Sequence, residues 1–414
     1  MIRKTTLAIA LGLCIAGGAQ AQSNTAGAIS GRAEAGDTIT VSNADRGFSR
    51  TITVGADGTY RLSQLPVGEY TVTRSDGSTR KVRVSVGTAS TVDFTAASAA
   101  QTLDGITVYG SGQINPIDVS SVESTTILTA EQIAKIPVAR NTTDVALLAP
   151  GTVRGDAAFG NLASFGGASV AENQFFFNGF NITNTFQNLN FVQVPFEGIA
   201  EQQVKTGGYG AEFGRSTGGV INQISKRGSN EFHAGGNVFW VPEGLTETPP
   251  NRYSNTGTLL ADNSQENEYG LRAAVWASGA LVKDKLFLYG LYEYGHTGER
   301  VDPLNAGSSR QIKSDEPKWL LKADWNLNDS NIVEFTALSD RREFDTAYYK
   351  VANNAVSHMR GAFMGTEYSN FGGDSYILKY TGYLTDTFTL SVLAGTGESA
   401  RENWSVSANG ERNE

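Results

Sequence analysis

The chain has 414 residues, a formal net charge of −9, only 18% charged residues and 47 glycines. This length allows two or three domains or one large β structure, and abundant glycine with many aromatic residues favours β-rich architecture over a helical bundle. Nucleic-acid binding is disfavoured because it depends on clustered lysine and arginine, which this acidic sequence does not provide.

The first 21 residues have the pattern of a secretory signal peptide. Arg3 and Lys4 form a positive region, the apolar run at 7–16 is too short to span a bilayer, and Ala-Gln-Ala at 19–21 is a small-x-small cleavage pattern. The sequence therefore predicts an exported protein that loses residues 1–21. Cys14 is the only cysteine and lies in this segment, so no disulfide is expected in the mature protein.

Residues 22–96 predict a small β-sandwich. Segments rich in β-branched and aromatic residues recur, and turn sequences such as Ala56-Asp57-Gly58 and Asp76-Gly77 separate them. The predicted strands are TITV at 38–41, TITV at 51–54, TYRL at 59–62, EYTV at 69–72 and KVRVSV at 81–86. Residues 97–110 follow as a linker that ends in the extended, β-prone segment LDGITVYG.

Residues 111–230 predict an α+β domain. Thr129 is the expected N-cap of a short helix with Gln132 at its third position, and Pro137 ends that helix. A second short helix is expected at 141–148. The strands predicted in this domain lie at 173–183, where Asn178-Gly179 forms the turn, at 200–208 and at 220–224.

Residues 231–414 predict about seven long antiparallel strands. They lie at 231–241, 270–282, 285–295, 317–328, 331–342, 375–385 and 387–395. One face of the fourth strand carries Trp319, Leu321, Ala323, Trp325 and Leu327, and the other carries Lys318, Lys322, Asp324 and Asn326, with Leu320 as the exception.

Such alternation leaves a soluble sandwich and a membrane β-barrel both open, because each has one apolar and one polar strand face. The strands exceed the common length of about 5–6 residues and suit a tilted membrane strand of about 9–11 residues. Tight turns also alternate with long polar connections at 242–267 and 343–373. Short turns on one side and long loops on the other favour the membrane barrel.

Several motifs resemble a known family. The segment ADGTYRLSQLPVGEYTV at 56–72 resembles the carboxypeptidase regulatory-like domain. The remaining chain resembles a TonB-dependent outer-membrane receptor of the Oar-like subgroup. The motifs are LDGITVYG at 103–110, LLAPGTV at 147–153, NQFFFNGFNITN at 173–184, the glycine-rich 194–235 and VKDKLFLYGLYE at 282–293.

The resemblance implies a mainly β fold in which a plug at 111–230 sits inside barrel strands that begin at 231. It implies a receptor in the outer membrane, surrounded by its lipids, that imports an extracellular peptide, glycan or chelate through TonB-driven movement of the plug. The TonB box would be Ile106, Thr107, Val108 and Tyr109, which would add as a strand to TonB. The plug motif would be Asn178, Gly179, Gly207, Gly208, Glu212, Gly214, Arg215, Gly218 and Gly219, with Asn178 in place of the usual Asp.

For Glu212 and Arg215 two interpretations are open: ion pairs between plug and barrel wall that hold the plug shut, or solvated surface charges. The glycine-rich stretch does not fit a phosphate loop, because Gly210 and Gly214 have the wrong spacing and Arg215 follows them instead of a Lys-Ser or Lys-Thr pair.

Such receptors close about 22 strands, so the chain is interpreted as an N-terminal fragment with an incomplete barrel. A secreted multi-domain adhesin or carbohydrate-binding surface protein is the alternative function, and a signalling receptor ranks behind it. No catalytic constellation or cofactor motif is present in the sequence. His233, His296 and His358 are far apart, so no metal site is expected.

Overall fold

The computed structural model describes residues 25–94, 123–156, 159–186, 188–302, 308–353 and 358–413. They form an N-terminal domain, a middle domain and a large C-terminal sheet. The predicted signal peptide and the predicted TonB box at 106–109 lie outside the described residues. Among the helices that are described, none is long and apolar enough to cross a membrane.

The N-terminal domain is a β-sandwich of two sheets with strand orders β4-β1-β7 and β3-β2-β5-β6. Its strands are β1 (Ala26–Arg32), β2 (Thr38–Asn43), β3 (Phe48–Thr53), β4 (Thr59–Pro66), β5 (Gly68–Arg74), β6 (Thr79–Val84) and β7 (Ala89–Thr91). Ile29, Ile39, Val41, Leu65 and Val72 are fully buried between the sheets. The predicted sandwich is confirmed, although the sequence did not indicate β1 and β7.

The middle domain combines two short helices with a five-stranded sheet of order β12-β11-β14-β13-β8 and the hairpin β9–β10. Its elements are β8 (Ser124–Thr129), α1 (Ala130–Lys135), α2 (Thr142–Ala146), β9 (Thr152–Arg154), β10 (Ala163–Phe165), β11 (Gln174–Phe177), β12 (Phe180–Asn181), β13 (Ile199–Gly207) and β14 (Val220–Ser225). The predicted cap is confirmed: the Thr129 side chain accepts from the Gln132 amide, and Gln132 Oε1 accepts from the Thr129 amide.

The C-terminal part is an 11-stranded antiparallel sheet that curves around the middle domain without closing on itself. Its strands are β15 (His233–Val241), β18 (Asn267–Val282), β19 (Leu286–Val301), β20 (Ser308–Asn328), β21 (Asn331–Ser339), β22 (Arg342–Asn353), β23 (His358–Gly372), β24 (Asp374–Tyr383), β25 (Thr389–Gly397), β26 (Ala400–Ser407) and β27 (Arg412–Asn413). A separate small hairpin joins β16 (Arg252–Tyr253) and β17 (Leu259–Ala261). The fold is mainly β, as the sequence predicts.

The long polar connection predicted at 343–373 is wrong, because β22 and β23 occupy most of it and pair in antiparallel register. In the chain, β22 follows directly after β21, and β23 leads directly into β24, so the two pairs form longer strands that continue past the apolar part of the sheet. Apart from Gly365, no residue of β22 or β23 whose burial is described is buried, so the alternation that identifies the other strands is missing. Aromatic residues replace it: Phe344 and Phe371 pack edge to face with ring centroids 5.6 Å apart.

The faces of β20 are as the sequence predicts. Lys318, Lys322 and Asp324 are buried against the interior, while Trp325 and Leu327 on the opposite face are exposed. The exposed face continues across neighbouring strands, where register places Val275 beside Tyr292 and Tyr292 beside Trp319. Leu320, the exception in the pattern, is 1% exposed, because it faces inward and packs against Gly198 of the middle domain.

Candidate functional site between the middle domain and the sheet

The middle domain fills the concave side of the C-terminal sheet through a shared hydrophobic core. Phe175, Phe177 and Val194 contribute from the middle domain, and Leu320 and Leu338 contribute from the sheet. Burying apolar area at about 25 cal/mol per Å² makes this contact the main attraction between the two parts. Polar contacts inside it then determine the position in which the middle domain sits.

A buried charged cluster crosses this interface. Arg227, which follows β14, pairs with Glu334 on β21 and, at 3.4 Å between Nη1 and Oδ1, with Asp324 on β20. Lys322 Nζ lies 3.2 Å from Glu334 and 3.3 Å from Asp324, and Lys379 Nζ lies 3.4 Å from Glu334. Each of these five side chains is at most 9% exposed.

The cluster holds three cations against two carboxylates, and its charges are shielded from water. Burial alone would lower the pKa of Arg227, but the negative charges of Asp324 and Glu334 reverse this effect and raise it. Arg227 therefore remains charged. Separating it from the sheet would leave buried charges without partners, which is costly in a low-dielectric interior. The cluster therefore fixes the middle domain against the C-terminal sheet.

Asn178 makes a second polar link between the two parts. It has φ +47° and Gly179 has φ +82°, so the predicted two-residue turn between β11 and β12 is confirmed. The Asn178 side chain donates to Ser225 Oγ at 2.9 Å and to Thr336 Oγ1 of the sheet at 3.0 Å, and it accepts from the Ser225 amide at 3.0 Å. One buried amide thus connects the turn, β14 and β21.

The glycines of the predicted motif occupy different environments. A Cβ on Gly219 would lie 2.3 Å from the Phe165 ring, and one on Gly218 would lie 2.6 Å from Asn173 Oδ1. Gly208 has φ +71°, which disfavours other residues. Gly207 has open space around it, and Gly214 ends the short 3₁₀ turn 211–213. Close packing therefore requires glycine at 218 and 219, and backbone conformation requires it at 208.

Comparison with known proteins identifies the two domains. The TonB-dependent Receptor Plug Domain matches residues 119–220, and the Carboxypeptidase regulatory-like domain matches residues 26–97. The chain is also 30% identical, over 308 residues, to the TonB-dependent transporter Oar of Myxococcus xanthus. The middle domain is therefore a TonB-dependent receptor plug domain, and the N-terminal domain is a carboxypeptidase regulatory-like domain. The Oar match covers 70% of this chain, and the chain spans 28% of the length of Oar.

Solved receptor structures are similar to this chain at lower identity. The siderophore receptor PirA from Acinetobacter baumannii is 17% identical with a TM-score of 0.45, and the match covers 69% of this chain and 44% of PirA. A ferric enterobactin receptor from Pseudomonas aeruginosa, PfeA, is 16% identical with a TM-score of 0.46, and the match covers 69% of this chain and 42% of PfeA.

Of the two alternatives for Glu212 and Arg215, the structure favours solvated surface charges over ion pairs across the boundary between the plug and the sheet. Both residues are exposed, and neither pairs with any charged residue that the structure describes. Arg215 has φ +69° in the turn after the 3₁₀ segment, and the turn holds both side chains at the plug surface. Arg227 makes the crossing ion pairs instead. The sequence did indicate that such a partner must exist, because buried charges need partners and the predicted inner face of β20 carries Lys322 and Asp324.

The N-terminal domain docks against both the plug and the C-terminal sheet. Glu201 of the plug strand β13 is fully buried and accepts from Ser85 Oγ and the Val86 amide, each at 3.1 Å, and from Arg83 at 3.4 Å. Tyr383 of the barrel donates to the Gln64 carbonyl at 2.8 Å. The sequence contained no signal for Glu201, because its partners lie more than 100 residues away in the chain.

Docking of the N-terminal domain is expected to weaken as pH rises. Burial raises the pKa of Glu201, and the bonds from Val86, Arg83 and Ser85 only partly oppose this. The docked state therefore binds the proton more tightly than an exposed glutamate with pKa about 4.3. The resulting stabilisation is complete below that value and is lost as pH rises through the docked-state pKa.

The distance between spin labels at Lys81→Cys and Glu131→Cys, both exposed positions, reports this docking across a pH titration. The Glu201→Gln receptor is the matched control, since it still accepts from the Val86 amide and has no proton to bind. Its docking should not change with pH. The same pH dependence in both proteins would contradict the assignment to Glu201.

Proposed function

We propose that this chain is part of an outer-membrane receptor that binds an extracellular ligand and admits it when TonB moves the plug. The observation that carries the proposal is the plug itself, which occupies the concave side of the sheet and is fixed there by Arg227 and Asn178. A plug held by a few buried polar links can stay closed at rest and be displaced by force applied at one end.

The proposed attachment point for that force is the TonB box, Ile106, Thr107, Val108 and Tyr109. It lies in the sequence between the N-terminal domain and the plug, and its β-branched and aromatic residues suit strand addition to TonB. The residues of the plug motif, including Gly208, Gly218 and Gly219, serve the plug fold in this proposal and do not contact the ligand. We assign no catalytic role, and no cluster of metal-ligand type occurs among the described residues.

The test measures binding between the detergent-purified receptor and the periplasmic domain of TonB. The receptor should bind that domain saturably, and deletion of residues 106–109 should remove binding. Val108→Pro should weaken binding by at least tenfold, because proline removes a main-chain donor from the added strand. Val108→Ala is the matched control, since it shortens the same side chain and keeps the main-chain donor. Equal binding by the intact and deleted receptors would refute the assignment of the box.

A further inference from the structure

A cavity of about 270 Å³ lies where the N-terminal domain, the plug and the barrel meet. Arg46 and Val67 line it from the N-terminal domain, Lys226 and Arg227 line it from the end of the plug, and Trp276 lines it from the barrel wall. Each domain therefore contributes side chains to one shared space. His233, whose side chain is 62% exposed, lies at the mouth of the cavity.

The lining of this cavity is strongly basic although the whole chain is acidic. Lys226, Arg227 and Arg46 supply three positive charges, and no aspartate or glutamate lines the space. Arg227 uses its Nη atoms for Asp324 and Glu334, and its buried Nε–H has no hydrogen-bond partner among the described residues. Neither Lys226 nor Arg46 pairs with a carboxylate anywhere in the described part of the chain.

Lys226 and Arg46, which pair with no described carboxylate, are less favourable in their charged forms than exposed side chains would be. Burial lowers the pKa of Lys226, and the charge of Arg140 lowers it further. Burial also lowers the pKa of Arg46, and the charge of Arg227 lowers it further, while the charges of Asp324 and Glu334 partly oppose this. Like charges that approach each other away from water repel strongly. Docking of the N-terminal domain therefore brings Arg46 close to Arg227, and the repulsion between them opposes docking. An anion bound between them would make the electrostatic contribution to docking favourable.

We propose that this cavity binds a phosphate-class oxyanion that joins the three domains. Arginine and lysine N–H groups are the usual partners of phosphate oxygens, and Arg46 and Lys226 line the cavity without pairing with a described carboxylate. Ser225 and Ser278 add hydroxyl groups to the lining. The volume suits a small anion or one headgroup. Bound there, the anion strengthens docking of the N-terminal domain, whatever ligand the receptor imports.

Calorimetric titration of the detergent-purified receptor with inorganic phosphate tests the proposal. One site with a Kd below about 1 mM is expected. Arg46→Gln and Lys226→Gln should each weaken binding at least tenfold, and Lys226→Arg should keep it within about threefold because the charge is retained. Lys81→Gln, which removes an exposed lysine from the same N-terminal domain, should have no effect. The arginine variant also shows whether loss of binding reflects charge or misfolding.

A parallel titration with short-chain phosphatidylglycerol distinguishes a lipid headgroup from a free anion. Binding of either probe that depends on both Arg46 and Lys226 supports the site and identifies the source of the phosphate group. Absence of saturable binding by both probes, or binding that the two glutamine variants leave unchanged, would overturn the proposal.

Discussion

Replacing Arg227 by methionine is expected to destabilise the docked plug by about 3 kcal/mol. Removing one partner of a buried ion pair costs about 3–5 kcal/mol. The lower end applies because Lys322 and Lys379 still neutralise Glu334 and Asp324 after the change. Urea unfolding of the plug measures the loss, and a fluorophore attached at Glu131→Cys follows the unfolding. Labelling is selective because the only natural cysteine, Cys14, lies in the predicted signal peptide.

The control for this prediction is Arg215→Met, which removes an exposed arginine of the same plug that pairs with no described residue. It should change stability by less than about 0.5 kcal/mol. Glu334→Gln should cost more than Arg227→Met, because it leaves three buried cations with Asp324 alone. If Arg227→Met and Arg215→Met unfold at the same urea concentration, the cluster does not hold the plug.

Local structure was readable from the sequence wherever it depends on neighbouring residues. Thr129 and Gln132 are three positions apart and predicted a reciprocal cap, which the structure contains. The alternation around Trp325 predicted which face of β20 is buried, because side chains on a strand point to opposite sides in turn. Such features need no knowledge of the rest of the fold.

The contacts that fix the plug depend on distant residues, and the sequence could not specify them. Arg227 meets Asp324 and Glu334 from 97 and 107 positions away. The alternation of β20 placed Lys322 and Asp324 on an inner face and so required charged partners there, but several plug residues could have supplied them. Arg215 was one candidate, and the structure places it at the surface, because local sequence does not show which arginine a turn holds there.

Replacing Asn178 by alanine is expected to destabilise the docked plug by about 3 kcal/mol. Two losses contribute. Alanine adopts the left-handed region that Asn178 occupies less readily than asparagine does, a backbone cost of about 1 kcal/mol. The Ser225 amide also loses its side-chain acceptor inside the interface, and an unsatisfied buried donor costs about 1–3 kcal/mol. The same urea unfolding measurement on the plug gives the sum.

Asn161→Ala separates the two losses, because Asn161 also has a positive φ, of 54°, and its side chain is exposed. It should cost only the backbone part, about 1 kcal/mol. A double-mutant cycle of Asn178→Ala with Thr336→Val then isolates the bond that crosses from the plug to the barrel. A coupling energy near zero would show that Asn178 stabilises the plug internally, and the link to the barrel wall would have to be withdrawn.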